Sequence, residues 1–138
     1  MALVEHEDRW STVSQGGSIE RVCIDWAITL LIRADDEEFT VRIEESVSLR
    51  DPAGVDARLT PTDEPSNLAP ILRLLRRSAV RVDAFKDGRL EIETSEGDLL
   101  TVLASEDFEP WEISGPYDTR LVSTPDKAVS VWRPSKAG

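Results

Sequence analysis

Histidine, cysteine and tyrosine each occur once, as His6, Cys23 and Tyr117. A lone cysteine can close no intramolecular disulfide and cannot supply a thiolate zinc site, and it suits a reducing compartment. A lone histidine near the N-terminus leaves histidine-based triads, proton shuttles and His-rich metal sites without their parts. Nor does the chain contain a phosphate-cradling GxxxxGKS/T loop, a GxGxxG after a strand or a GxSxG elbow. Any catalysis would rest on carboxylates, Tyr117, Cys23 or a borrowed cofactor, so the sequence points away from an enzyme and implies no cofactor and no metal.

Long apolar runs are missing as well. The longest, residues 26–32, includes Thr29 and is too short to span a bilayer. The opening MALVEHEDRW carries acids where a secretory leader carries bases, and no apolar core follows it. A soluble cytoplasmic protein without membrane contact is expected. Positive charge is the third shortage: 16 Lys and Arg face 27 Asp and Glu, for a net charge of −11. Phosphate binding works by releasing counterions with Lys and Arg, which argues against nucleic acid, whereas the same charge favours encounter with a basic protein. At 138 residues, 40% of them hydrophobic, the chain suffices for one domain that buries roughly two-thirds of its unfolded surface.

What is present is β alternation. Val22, Ile24, Trp26, Ile28, Leu30 and Ile32 fall on one face of a period-two strand and Asp25, Thr29 and Arg33 on the other. Phe39, Val41 and Ile43 repeat the pattern on a return strand. With a loop over residues 34–37, Arg33 pairs with Glu38, Ile32 with Phe39, Leu30 with Val41 and Ile28 with Ile43. One uninterrupted strand from Ser18 to Arg33 would be unusually long for a small domain, so a bend or bulge is expected near Trp26 to Thr29. Val47 and Leu49 continue the alternation until Asp51-Pro52-Ala53-Gly54 breaks it.

Pro52, Pro61 and Pro65 mark residues 51–66 as a surface loop leading into one amphipathic helix. Leu68, Ile71, Leu72 and Leu75 fall at i, i+3, i+4 and i+7, with Ser66 or Asn67 as cap and Pro70 tolerated in the first turn. Arg73, Arg76 and Arg77 gather at its C-terminal end, where the helix dipole favours cations. A meander follows. Three-residue loops at Lys86-Asp87-Gly88 and Ser95-Glu96-Gly97 pair Ala84 with Leu90, Val82 with Ile92, Ile92 with Leu100 and Leu90 with Val102. Each loop has glycine third, where left-handed backbone closes a bulge. A weak echo aligns Arg21-Val22 with Arg81-Val82, Leu30-x-Ile32 with Leu90-x-Ile92 and Thr40-Val41 with Thr101-Val102, as if one β unit were duplicated. It fails where Trp26-Ala27-Ile28, without turn chemistry, meets Lys86-Asp87-Gly88. Short strands over residues 121–123 and 128–132 end the chain.

The expected fold is therefore α+β, mainly β: antiparallel hairpins and a meander packed with one amphipathic helix. It forms a single domain over residues 18–133, with a loosely ordered tail over 1–17, into which Trp10 docks, and a frayed end over 134–138. Between Leu90 and Thr119 there is no Lys or Arg. There Glu106, Asp107, Glu109, Trp111, Glu112 and Tyr117 form a candidate binding surface, since aromatic anchors among acids suit a basic partner. Phe108 is read as closing the open end of the core, and Trp111 fits either role. Asp25, between Ile24 and Trp26, is the alternative polar site: buried, with its pKa raised toward general-base range, or pointing outward with Thr29 and Arg33.

Val22-Cys23-Ile24-Asp25, Val41-Arg42-Ile43-Glu44, Asp87-Gly88-x-Leu90, Glu109-x-Trp111-Glu112-Ile113-x-Gly115-Pro116 and the stretch from Pro125 to Trp132 together resemble a family of small actinobacterial proteins of unknown function. The resemblance runs from about Ile19 to Trp132, and the Glu-x-Trp-Glu-x-x-Gly-Pro segment is its most specific part. It departs at turns: residues 34–37 stand where similar proteins carry Asp-Gly, and Pro125-Asp126-Lys127 where they carry Pro-Gly-Gly. It implies no catalytic residue. Three readings remain. The first is a non-catalytic acidic protein-binding module of the inhibitor or immunity type. The second is a small-ligand binder or carboxylate-based enzyme that uses Asp25 or Tyr117 in a pocket between sheet and helix. The third is a structural homodimer paired through its last strand.

Overall fold

The computed structural model describes residues 3–12, 16–34 and 36–133, so the expected frayed end over 134–138 lies outside the described residues. The strands are β1 (Val4–Glu5), β2 (Arg9–Ser11), β3 (Gly17–Ile24), β4 (Ile28–Ala34), β5 (Glu37–Ile43), β6 (Val47–Arg50), β7 (Asp56–Leu59), β8 (Ser78–Phe85), β9 (Leu90–Thr94), β10 (Leu99–Val102), β11 (Trp111–Ser114), β12 (Arg120–Thr124) and β13 (Ala128–Trp132). All thirteen belong to one antiparallel sheet, and the described helical content is a single 3-10 segment, Pro65–Leu74. The α+β expectation is thus corrected: the protein is nearly all β.

The 3-10 geometry explains the second correction. Three residues per turn place i, i+3 and i+6 on one face, and the buried side chains are Leu68, Ile71 and Leu74, while Leu72 and Leu75 are exposed. An α-helical period would have buried Leu72 and Leu75 instead. Pro65 opens the segment, Pro70 lies inside it, and Glu64 occupies the cap position without a side-chain hydrogen bond, so Ser66 and Asn67 are not caps. Burying three aliphatic side chains, at about 1.5–3 kcal/mol each, holds a segment whose own hydrogen bonds are poor.

The third correction concerns residues 18–33. The chain reverses at Asp25, Trp26 and Ala27, so that Ile24 pairs with Ile28 and Val22 with Leu30. Asp25 supplies the turn chemistry: its Oδ1 accepts the Ala27 N–H at 2.8 Å, and its own N–H donates to the Ala27 carbonyl at 3.1 Å. Because the reversal leaves Ile24 and Ile28 at the same parity, the alternation runs through it unbroken. The β4–β5 hairpin has the expected register, Arg33 with Glu38 through Ile28 with Ile43, and continues to Ala34 opposite Glu37. The meander registers also agree, with Gly88 at φ 93° and Gly97 at φ 100°.

Along the sheet the order is β13-β12-β11-β5-β4-β3-β8-β9-β10-β6-β7. Read outward from the β3–β8 junction, the sequence is palindromic: β3 answers to β8, β4 to β9, β5 to β10, β11 to β6 and β12 to β7. The pairings match in detail. Val22 faces Leu30 as Val82 faces Ile92, and each ladder slips by one residue at the same place, between Ile19 and Arg21 and between Ala79 and Arg81. Val41 faces Ile113 as Leu100 faces Leu49, and Ile113 faces Leu121 as Leu49 faces Ala57. The pseudo-dyad passes through the Ser18–Ser78 pair. Each half therefore lends its second hairpin to the edge of the other, which ties the halves into one cooperative sheet.

Side chains from both halves, among them Ile28, Leu30, Val41, Val82, Ile92 and Leu100, form one apolar cluster, so the sheet curls over its own inner face. The 3-10 segment packs on β3 and β7 and covers the remaining gap. On the other side of β8, β2 adds with Trp10 opposite Ala84, β1 folds back on β2, and the buried Thr12 hydroxyl donates to the Val82 carbonyl at 3.0 Å.

Candidate functional site

The pairing of charges comes first, because cations are scarce. Arg33 holds Glu20 and Glu38, Arg42 holds Glu44, Arg50 holds Asp56, and Arg81 and Arg89 hold Glu91. Among the described residues only Arg21, Arg58 and Arg76 have no such partner.

Burial and ion pairing engage three of the six residues of the expected 106–118 surface, Trp111, Glu112 and Glu106. Trp111, on β11, is 1% exposed and belongs to the core, where its indole N–H donates to the Gly88 carbonyl at 2.9 Å. Glu112, its outward neighbour on the strand, takes a bidentate pair from Arg120 at 2.8 and 3.0 Å. Glu106 meets Lys127 at 3.1 Å. Asp107, Glu109 and Tyr117 are exposed, and so is Phe108, which leaves the core end to Trp111. Tyr117 and Asp118 occupy consecutive left-handed positions in the β11–β12 turn, φ 57° and 61°. Three of the six predicted residues, Glu109, Trp111 and Glu112, do line one small cleft of about 160 Å³ with Arg42 and Glu44, but its indole is buried and Glu112 is held by Arg120.

Asp25 is exposed, which settles its orientation, and its work is the turn described above. The turn carries Trp26 at its tip, 78% exposed, although the alternation had placed it inward. Beneath it Ala27 is fully buried and pins the loop to the sheet. Facing Trp26 across a cleft of about 510 Å³ is the connection from β7 to the 3-10 segment, with Pro61, Asp63, Glu64 and Pro65. Pro61 is buried, and the Asp63 N–H closes a turn on the Thr60 carbonyl at 2.9 Å. The cleft so formed has an apolar lining of Ile24, Trp26 and the prolines, and a rim of three carboxylates, Asp25, Asp63 and Glu64. No ion pair of the described residues reaches any of the three.

Across the pseudo-dyad the corresponding junction is shut. There the β8–β9 turn sits on β11 and β12, and the Gly88 carbonyl accepts both the Trp111 indole N–H and the Ser123 hydroxyl, the latter at 2.8 Å. A Cβ on Gly88 would stand 2.8 Å from the Ala104 Cβ and 3.1 Å from the Ser123 Oγ.

Sequence reasoning missed two buried acids. Asp98 is fully buried in the β9–β10 turn, where Arg73 (3.0 Å), Arg77 and the Thr94 hydroxyl (2.7 Å) hold its two oxygens. Burial opposes its ionisation, but the hydrogen bonds from Thr94, Arg73 and Arg77 outweigh it and hold the carboxyl below the usual range. The arginines at the end of the 3-10 segment thus serve an ion pair more than a helix dipole. Asp83, on the outer face of β8, takes Ser11 and Arg81 at 3.0 Å each. For Asp83 the signal available was an acid inside an alternating apolar strand with Arg81 at matching parity; Asp98, in a turn, left none.

Residues 10–133 match a family of unknown function, DUF6188. The chain belongs to that family. The DUF6188 match opens inside β2 and closes just past β13, so it spans the whole palindromic sheet, and it assigns no role to any residue. No curated protein and no solved structure matches the chain. No described helix is long and apolar enough to cross a membrane, and no three described His, Cys, Asp or Glu residues are grouped to hold a metal ion.

Proposed function

We propose that this DUF6188 protein is a non-catalytic acidic module that binds a basic protein, in the manner of an inhibitor or immunity protein. The observation that carries the reading is the mismatch between paired and unpaired charge. All described cations except Arg21, Arg58 and Arg76 are engaged by carboxylates, while Asp25, Asp63 and Glu64 stand around an exposed indole with no cation of their own. Long-range attraction from a net charge of −11 would speed encounter with a cationic surface, and salt would weaken it. The resemblance and the lone Cys23 make an actinobacterial cytoplasm part of the same proposal. Affinity capture from a cell lysate at low and at high salt tests it. The reading expects a basic protein retained at low salt and released at high salt; retention that ignores salt contradicts it.

Self-association is the competing reading, favoured by one observation: β13 is a sheet edge whose Val129 and Val131 are only half-buried. Light scattering that returns a monomer at high concentration removes it.

A further inference from the structure

We infer that the Trp26 cleft is the docking site for a basic, extended segment of the partner, with a lysine or arginine laid over the indole and its charge met by Asp25, Asp63 and Glu64. The inference rests on the acidic-module reading and gives it a place and a chemistry. Two observations point to a cationic occupant, and two more to a preformed, open site for it.

The first is how the other tryptophans are treated. Trp10 has Lys86 at 5.9 Å and Arg133 at 5.0 Å from its ring centroid, and Trp132 has Arg120 at 5.5 Å. Trp111 is buried and hydrogen-bonded. Trp26 alone has neither burial nor a cation, although an indole face is the best aromatic surface for one. The second is charge complementarity: the rim holds three carboxylates and no Lys or Arg lines the cleft.

The third is preorganisation. The Trp26 turn is fixed by the Asp25–Ala27 hydrogen bonds and by buried Ala27, and the opposite wall is stiffened by Pro61 and Pro65. Little ordering is left for binding to impose, so the contact energy is retained as affinity. The fourth is the sealed counterpart. The same junction in the other half is filled by Gly88, Ser123 and Trp111, which shows that this architecture can close the gap with its own chain. In the first half it is left open.

The test uses the full chain as bait for a displayed library of random linear peptides, followed by affinities of the selected peptides for variants. Selected peptides are expected to carry a recurring Lys or Arg beside an apolar residue. Their affinity should fall about tenfold in Trp26→Ala and in Asp63→Asn/Glu64→Gln, less in Trp26→Phe, and stay unchanged in Glu106→Gln/Asp107→Asn/Glu109→Gln. Asn at position 63 keeps the acceptor that Asp63 offers the Glu64 N–H at 2.8 Å, so the wall stays folded. Basic peptides that depend on Glu106, Asp107 and Glu109 but not on Trp26 would overturn the cleft and leave the acidic module standing. A selection that returns no basic peptide would overturn both.

Discussion

The β8–β9 turn and the β3–β4 turn occupy equivalent places in a palindromic sheet and do opposite things. The first drives Gly88 into the chain, where Trp111 and Ser123 bond its carbonyl and no space is left for a Cβ. The second holds Trp26 out of the chain, over a cleft edged with carboxylates. A pairing scheme alone therefore does not decide what a surface does. Turn length does: three residues lie between the last pair in β3–β4 and five in β8–β9, and the two extra residues carry the second turn far enough to plug its own junction.

The hairpin ends differ in the same instructive way. Ile32 and Phe39 face each other in the first half, whereas Thr94 and Asp98 fill the equivalent places in the second. One half closes with apolar contact, the other with a buried carboxylate shared by two arginines.

Variants can break this comparison, and the largest effect is expected at Trp111. Trp111→Ala removes a fully buried indole and its hydrogen bond and should cost about 3–5 kcal/mol in urea unfolding. Next comes Asp98→Ala, at about 3 kcal/mol, since it leaves Arg73 and Arg77 without their counter-charge. Because the folded pKa of Asp98 lies below its unfolded value of about 3.9, its contribution is present above that pH and is lost as pH falls through the folded value. The acid limb of a stability–pH curve should flatten in the variant.

Gly88→Ala should cost about 2–3 kcal/mol, from left-handed backbone at φ 93° plus the collision with Ala104. Gly54→Ala, at φ 87° with open space around it, should cost only about 1 kcal/mol. Thermal or urea midpoints separate the two. Smallest of all, Trp26→Ala should change stability by no more than about 0.5 kcal/mol, as befits a side chain held for a partner.

Much of the sheet was legible in the residues. The β4–β5 register and both meander loops follow from parity and from Gly88 and Gly97, because a one-residue slip would turn every core side chain outward. The same period of two hid the rest. A turn at residues 25–27 leaves Ile24 and Ile28 in phase, so the reversal and the exposure of Trp26 left no mark on the pattern. The echo is in step with the pairing for β3 and β8, where Val22 matches Val82, but two residues out of step for β4 and β9, where Leu30 takes the place that Ile92, not Leu90, takes in the other half. Leu72 and Leu75 fit an α-helical stripe, and only the prolines at 65 and 70 signalled 3-10 geometry. The candidate site was only partly legible: the sequence shows where acids and aromatics lie close along the chain, but which acids go unpaired is decided by distances such as Glu112 to Arg120 that span the sheet.

The most direct test of an open, acidic junction opposite a sealed one is ionic quenching of tryptophan fluorescence, comparing the intact protein with Trp26→Phe. Trp10 and Trp111 are buried and Trp132 lies beside Arg120, so the emission lost in the variant should be red-shifted and quenched more strongly by caesium than by iodide. Loss of a blue-shifted component, or equal quenching by both ions, would contradict the account.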